Sequence, residues 1–146
     1  MFFGIFKEKK RKVYMKQLKN LLETSSLKIT PQRLAILKEL EKKGHASIDE
    51  IYENIKDFFP SISLATIYKN ISALKDENII SEICIHEKPK FEITKEPHAH
   101  FICKKCGKVE DVPLSDLIKY EIEKQYPDSK KELYIYGICK NCKDEK

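Results

Sequence analysis

Six side chains able to bind a metal stand in two short stretches of this 146-residue chain. His98, His100, Cys103 and Cys106 fall within nine residues, and Cys139 and Cys142 answer them near the C-terminus. Two Cys-x-x-Cys pairs supply the ligand set of a structural zinc site, because each pair can wrap a knuckle of backbone around one tetrahedral ion. Four thiolates leave no coordination position open, so the expected job of Cys103, Cys106, Cys139 and Cys142 is folding and not catalysis. Zinc of this kind supplies roughly 10–16 kcal/mol of apparent binding energy, on the order of a whole domain's stability. Two redox dithiols, or buried free cysteines, are the other readings of the same spacing. Cys84 lies between Ile83 and Ile85 and is expected only to pack or to sit on the surface.

The histidines are a separate matter. On a strand, His98 and His100 share a face if Ala99 points away, and two imidazoles on one face can hold one ion. Oxygen ligands would strengthen that reading. Glu92 and Asp111 are the nearby candidates. His45 follows Gly44 between two helices and, taken alone, is a loop residue.

Composition sets the frame for these residues. The chain is 41% hydrophobic and 35% charged, as a globular protein is, with no apolar run near the ~20 residues that span a membrane. Met1 to Phe6 is too short for a signal-peptide core, and the basic run Lys7 to Lys12 follows it instead of preceding it. A cytoplasmic protein is the expectation, and with it thiolates on a metal in preference to disulfides. Net charge is +5, and residues 1–95 carry the whole excess, with 18 Lys and Arg against 13 Asp and Glu. A polyanionic partner for that part is one reading; a solvated surface is the commoner cause of such a charge.

The elements that must position the ligands follow from period and punctuation. Residues 1–14 read as an extension, with Met15 as an alternative start. Tyr14, Leu18, Leu21 and Leu22 mark a first helix closed by Ser25-Ser26. Thr30-Pro31 opens a second, with Leu34, Leu37 and Leu40 as its buried stripe and Gly44 as its stop. Ser47-Ile48-Asp49-Glu50 is a capping box for a third helix, ended by Pro60. Ser63 caps a fourth, running to about Glu77, with Leu64, Ile67, Ile71 and Leu74 expected inward. Its other face carries Ala65, Thr66, Lys69 and Ser72, with Tyr68 on the margin: small, polar and singly basic, as a helix in a DNA major groove can be. The period then changes to two. Ile79 to Ile85 and Lys90 to Ile93 read as strands about a turn at His86 to Pro89, where Lys88 could touch phosphates. Helices followed by such a hairpin predict a winged helix-turn-helix over residues 1–95, with a hinge at about 94–97. Residues 96–146 predict a small α/β domain: strands at Ala99 to Cys103, Val109 to Val112 and Leu133 to Ile138, and a helix from Leu114 to Tyr126. About 50 residues make a marginal core, which zinc and a partner subunit would support. The fold class is therefore α+β.

Together these residues resemble the ferric uptake regulator family of metal-dependent repressors. The resemblance runs from about Met15 nearly to the end of the chain. It rests on Thr30-Pro31-Gln32-Arg33, on His45 followed by Asp49-Glu50-Ile51-Tyr52, and on Ser63 to Asn70. His98-x-His100-x-x-Cys103-x-x-Cys106-Gly107 and Tyr136-Gly137-Ile138-Cys139-x-x-Cys142 complete it. The resemblance implies an N-terminal winged helix and a C-terminal dimerisation domain. It implies a regulatory metal site at His45, Glu92, His98, His100 and Asp111, whose ion would tie the two domains together. It also implies a DNA surface that includes Arg33, Ser63, Ala65, Thr66, Tyr68, Lys69 and Lys88. Lys69 stands where the family usually has Arg, which keeps the charge and gives up bidentate geometry. Pro97, Ala99, Asp111 and Lys131 stand where iron and zinc regulators often carry ligands of an additional site. Asp111 resembles the peroxide-sensing branch, in which bound Fe(II) reacts with peroxide and a ligand histidine is oxidised.

The resulting expectation is a homodimeric, metal-dependent repressor on a double-stranded inverted-repeat operator. Zn2+ would be structural and Fe2+ or Mn2+ regulatory. Peroxide would release it from DNA without making it an enzyme. An iron-responsive repressor of uptake genes is the alternative within the family. A zinc hydrolase or deaminase is the alternative outside it, although His98-Ala99-His100 lacks the neighbouring Glu that a deaminase uses as proton shuttle. A thiol oxidoreductase is the third.

Overall fold

In the computed structural model of the chain, the structure describes residues 15–85 and 88–144. The extension at 1–14 and the turn residues His86 and Glu87 lie outside the described residues. The chain divides after Thr94 into two compact units.

The first unit begins with α1 (residues 15–23), which buries Leu18 and Leu22 and ends as Ser25 N–H donates to the Leu22 carbonyl. Helix α2 (Pro31–Lys43) is opened by Thr30, whose side chain accepts from Arg33 N–H at 3.2 Å, and has Pro31 in its first turn. Gly44 closes it with φ +80° and an N–H donated to Leu40. Strand β1 (Ala46–Ser47) leads into α3 (Ile48–Ile55), whose capping box joins Ser47 and Glu50 in both directions. Helix α4 (Leu64–Asp76) is capped by Ser63, which accepts from Thr66 N–H. Strands β2 (Ile80–Ile83) and β3 (Lys90–Ile93) pair antiparallel, Ile80 opposite Ile93, and β1 adds to the far side of β3 in the order β1-β3-β2. Helices α2, α3 and α4 with this small sheet make a winged helix, and α1 packs onto its core.

Its core is a single cluster in which Leu22, Ile36, Leu37, Leu40, Ile51, Ile67 and Leu74 are almost wholly buried. Each such side chain contributes about 1.5–3 kcal/mol when fully removed from water. Two inward assignments change. Leu64 is 41% exposed, because the first turn of α4 projects past the core; Ile62, just before the cap, is buried in its place. On α2, Ile36 is fully buried while Leu34 is only partly so. Strand β2 stops at Ile83, short of Cys84 and Ile85.

The second unit begins with β4 (Ala99–Cys103) and β5 (Val109–Val112), an antiparallel pair joined by the first cysteine knuckle. Helix α5 (Asp116–Gln125), capped by Ser115, carries the chain across to β6 (Leu133–Gly137). Strand β6 runs parallel to β4 on its other edge, giving the order β5-β4-β6. A short α6 (Lys140–Asp144) follows, a turn of helix that Cys139 starts and Cys142 occupies. The core here is small: Cys103, Cys139 and Cys142 with Phe101 packed against them. Gly137 belongs to that packing, since a Cβ there would lie 3.1 Å from the Phe101 ring.

Candidate metal centres and nucleic-acid interface

Strand β4 ends on Cys103 and the chain must reverse to start β5. Gly107 makes the reversal at φ +76°, with its N–H on the Cys103 carbonyl and Cys103 N–H on Lys108. The turn points Cys106 back towards Cys103. Register does the rest: Cys103 lies opposite Gly137, so β6 delivers Cys139 and then α6 delivers Cys142 to the same point. The four Sγ atoms lie within 4.8 Å of one another, and those of Cys106 and Cys139 are 3.7 Å apart. Tetrahedral Zn–S bonds of about 2.3 Å put sulfurs about 3.8 Å apart, so the donor set fits such an ion.

Two N–H groups aim at Cys103 Sγ, from Cys106 at 3.5 Å and from Cys139 at 3.3 Å. These donors favour the thiolate and hold the Cys103 thiol down to about 6. Cys142 is pushed up to about 12 by the neighbouring sulfurs, Cys139 first, and by burial. One ligand is thus already a thiolate at neutral pH and another keeps its proton until a cation arrives. Cys84 is exposed and stands apart from this group.

The nitrogen and oxygen ligands are placed by the same sheet and by the wing. In the second unit His100 pairs with Asp111 in the β4–β5 register, and His98 immediately precedes β4. Asp111 Oδ1 lies 3.4 Å from His98 Nε2 and 3.6 Å from His100 Nε2. His98 Nδ1 lies 2.8 Å from the Glu96 carbonyl. A carbonyl can only accept, so that nitrogen carries the proton and Nε2 is left as the donor atom for a metal. His100 is buried, and the two imidazoles meet edge to face at 4.5 Å. Lys95 Nζ approaches the other oxygen of Asp111 at 3.4 Å. In the first unit Glu92, on β3, is 2% exposed and faces His45 Nε2 at 3.2 Å. A carboxylate so buried demands a cation or a donor, and both groupings offer the neutral imidazole and carboxylate chemistry of a divalent-ion site. Lys131 pairs with Glu123 and draws that carboxyl below its usual range.

The outer face of α4 presents Ala65, Tyr68 and Lys69 to solvent, with Thr66 half-buried. Ser63 sits just ahead of them as the cap. Tyr68 is 57% exposed and outside the core. Arg33 does not project freely: Nε donates to Asn70 Oδ1 at 3.2 Å and Nη1 to the Lys28 carbonyl at 2.7 Å. It braces the start of α2 against α4. Lys88, beside the wing turn, is paired with Asp49 at 3.3 Å, both exposed.

The winged helix, the four-cysteine knuckle and the His-x-His strand opposite an aspartate now lie in one chain in a fixed order. The family model described as the ferric uptake regulator family matches residues 24–136. The chain belongs to the ferric uptake regulator family. A Fur-family chain is a metal-dependent, DNA-binding transcriptional regulator and not an enzyme. It is 37% identical over 130 residues to the peroxide-responsive repressor PerR of Staphylococcus epidermidis, covering 85% of this chain and 87% of that one. Among solved structures it resembles the Campylobacter jejuni peroxide stress regulator at 34% identity and a TM-score of 0.68, over 94% of this chain and 98% of the other. It also resembles the Helicobacter pylori ferric uptake regulator Fur at 26% identity and a TM-score of 0.71, over 90% and 93%. Among the described residues, no helix of this Fur-family chain is long and apolar enough to cross a membrane.

Sequence reasoning did not find the Glu96 carbonyl, Lys95 or Asn70, each of which holds a site residue in place. A backbone acceptor leaves no sequence signal. Arg33 and Asn70 are 37 positions apart, beyond the reach of local periodicity.

Proposed function

We propose that this protein is a repressor that binds an inverted-repeat operator as a homodimer and leaves it when peroxide oxidises one of its own metal-ligand histidines. The observation that carries this reading is the carboxylate of Asp111 set between the Nε2 atoms of His98 and His100. On the family's pattern, His45 and Glu92 complete the ligands of one regulatory ion. Three nitrogens and two carboxylates suit Fe2+ or Mn2+, and zinc as well. Bound Fe2+ would supply the one-electron reduction of peroxide. The chain's own residues orient the donors: Glu96 fixes the tautomer of His98, and β4 holds His100 in register with Asp111. Cys103, Cys106, Cys139 and Cys142 would hold structural Zn2+ throughout. DNA would be read by α4, with Ser63, Ala65, Thr66, Tyr68 and Lys69 along its face, Arg33 bracing it and Lys88 on phosphate. The relative from S. epidermidis, described as a peroxide-responsive repressor, supports the branch.

Protein purified and loaded with Fe2+ without air, then assayed for operator binding before and after peroxide, tests this. DNA binding is expected to vanish, with one oxygen gained on His45 or His100. The Mn2+ form is expected to bind and to resist peroxide. Asp111→Glu should keep metal-dependent binding and lower peroxide sensitivity, since the oxygen moves by one methylene. Release that coincides with oxidised Cys103 or Cys139 and intact histidines would sink the reading. The likeness to the H. pylori Fur structure favours a second reading, an iron-responsive repressor. Its mark would be DNA binding that follows Fe2+ supply and ignores peroxide.

A further inference from the structure

The two oxygens of Asp111 face different partners. Oδ1 lies 3.4 Å from His98 Nε2 and 3.6 Å from His100 Nε2, where a metal ion would be held, while Oδ2 lies 3.4 Å from Lys95 Nζ. Lys95 is not itself a ligand, since an ammonium has donors and no lone pair to give. Its neighbours keep it in place. The side chain of Glu96, the next residue, accepts from Lys119 Nζ on α5 at 3.1 Å, and the Glu96 carbonyl lies 2.8 Å from His98 Nδ1. The segment that carries Lys95 is thus tied to α5 on one side and to the His98 ring on the other. An open groove of about 370 Å3, lined by Lys95, Pro97, His98, Asp111, Leu114 and Lys119, reaches the same carboxylate. A cation arriving along it finds ammonium groups on the wall. The Lys95–Asp111 pair is half-exposed, and a pair of that kind adds little to stability. Its effect on a divalent ion is a different matter.

We propose that Lys95 is a built-in competing cation that lowers the affinity of the regulatory centre for its divalent ion, and so raises the metal concentration at which the repressor takes its operator. The inference rests on the reading of Asp111 as a ligand of that centre. Two effects act in the same direction. Before metal arrives, the ammonium already neutralises the carboxylate, so one donor is partly spent. After metal arrives, two cations share the two oxygens of one carboxylate and repel each other. At a few ångströms in a water-like medium, a double charge against a single one changes affinity about five- to tenfold. Salt must reduce the effect, because the pair faces solvent.

The test is a Mn2+ titration of the full-length, zinc-containing protein, with free Mn2+ read by electron paramagnetic resonance. Lys95→Gln stays polar and loses the charge; Lys95→Arg keeps the charge. At low salt Lys95→Gln is expected to bind Mn2+ about five- to tenfold more tightly than the parent, and Lys95→Arg to stay within about twofold of it. The gain should shrink as salt rises from about 0.05 M to about 1 M, which a change in packing would not reproduce. Operator binding by Lys95→Gln should reach its midpoint at a Mn2+ concentration lower by the same factor, with zinc content unchanged. Asp111→Asn should weaken Mn2+ binding, and adding Lys95→Gln to it should recover little, because the shared carboxylate is gone. If Asp111→Asn weakens Mn2+ binding while Lys95→Gln binds no more tightly than the parent, or gains equally at all salt concentrations, the role of Lys95 alone is overturned. Mn2+ binding indifferent to Asp111→Asn overturns the ligand reading of Asp111, and the proposal with it.

Discussion

Among single residues, the cysteines were the most legible, because a paired two-residue spacing is a property of the chain before it folds. Their unequal chemistry was not legible. Cys103 is held down to about 6 by N–H groups from Cys106 and Cys139, and one of those donors is 36 positions away. Cys142 is pushed up to about 12 by its sulfur neighbours. Metal loading must therefore expel protons at neutral pH, and acid should favour release. Chelator-driven zinc loss is expected to speed up as pH falls through about 6, where Cys103 also begins to take up a proton. Cys103→Ser should leave the protein without its zinc, while Cys84→Ser should keep one equivalent per chain by elemental analysis. A stable dimer of the parent containing no zinc would rule the assignment out. His45 shows the limit at this scale. Its partner Glu92 sits on β3, 47 positions away, and the pairing of β3 with β1, the strand that directly follows His45, brings the two together. Nothing in the local sequence announces it; the family resemblance did.

Caps and period carried the elements. Thr30, Ser47 and Ser63 each cap the helix they were expected to start, since a side-chain oxygen on an orphan N–H is a local event; Ser115, which caps α5, was not singled out. Strand β1 and helix α6 were missed; each is a few residues long, too short to show a period. On α4, exposure of Tyr68 and burial of Ile67 and Ile71 leave the polar face available to a groove. Tyr68→Ala should weaken operator binding by roughly 1–3 kcal/mol, the scale of one good base contact, with unrelated DNA little affected. Lys88 must leave Asp49 to reach a phosphate, and an exposed pair of this kind costs only about 0.2–1 kcal/mol to break. Lys88→Ala should weaken all sequences alike and reduce the salt slope by about one. Salt titrations of both variants on operator and random DNA separate the two roles. Normal operator binding by Tyr68→Ala would remove Tyr68 from the interface.

At the scale of the whole molecule, the second unit is incomplete by itself. The sequence periodicity correctly marked α5 as a helix, but its apolar residues do not go where periodicity alone would send them. No residue of α5 is buried, and Leu117 is 71% exposed, with Ile118 and Tyr120 also open. Strand β6 adds Ile135 and, beyond it, Ile138 to the exposed apolar surface. A small unit with a sulfur-based core cannot leave that much apolar area in water without loss, since burial stabilises by about 25 cal/mol per Å2. A second copy of the chain is the occupant that the homodimer reading supplies, and one helix face on each copy suits a two-fold axis. Leu117→Asp places a charge on the most exposed apolar position of α5 and touches no metal ligand. It is expected to convert the dimer to monomer in sedimentation velocity while zinc stays at one equivalent. Operator binding should fall much further than binding to a half-site, because only the dimer engages both halves of an inverted repeat. Thermal stability should become independent of protein concentration, as it must when subunit association no longer contributes. A Leu117→Asp protein that still sediments as a dimer would place the interface away from α5.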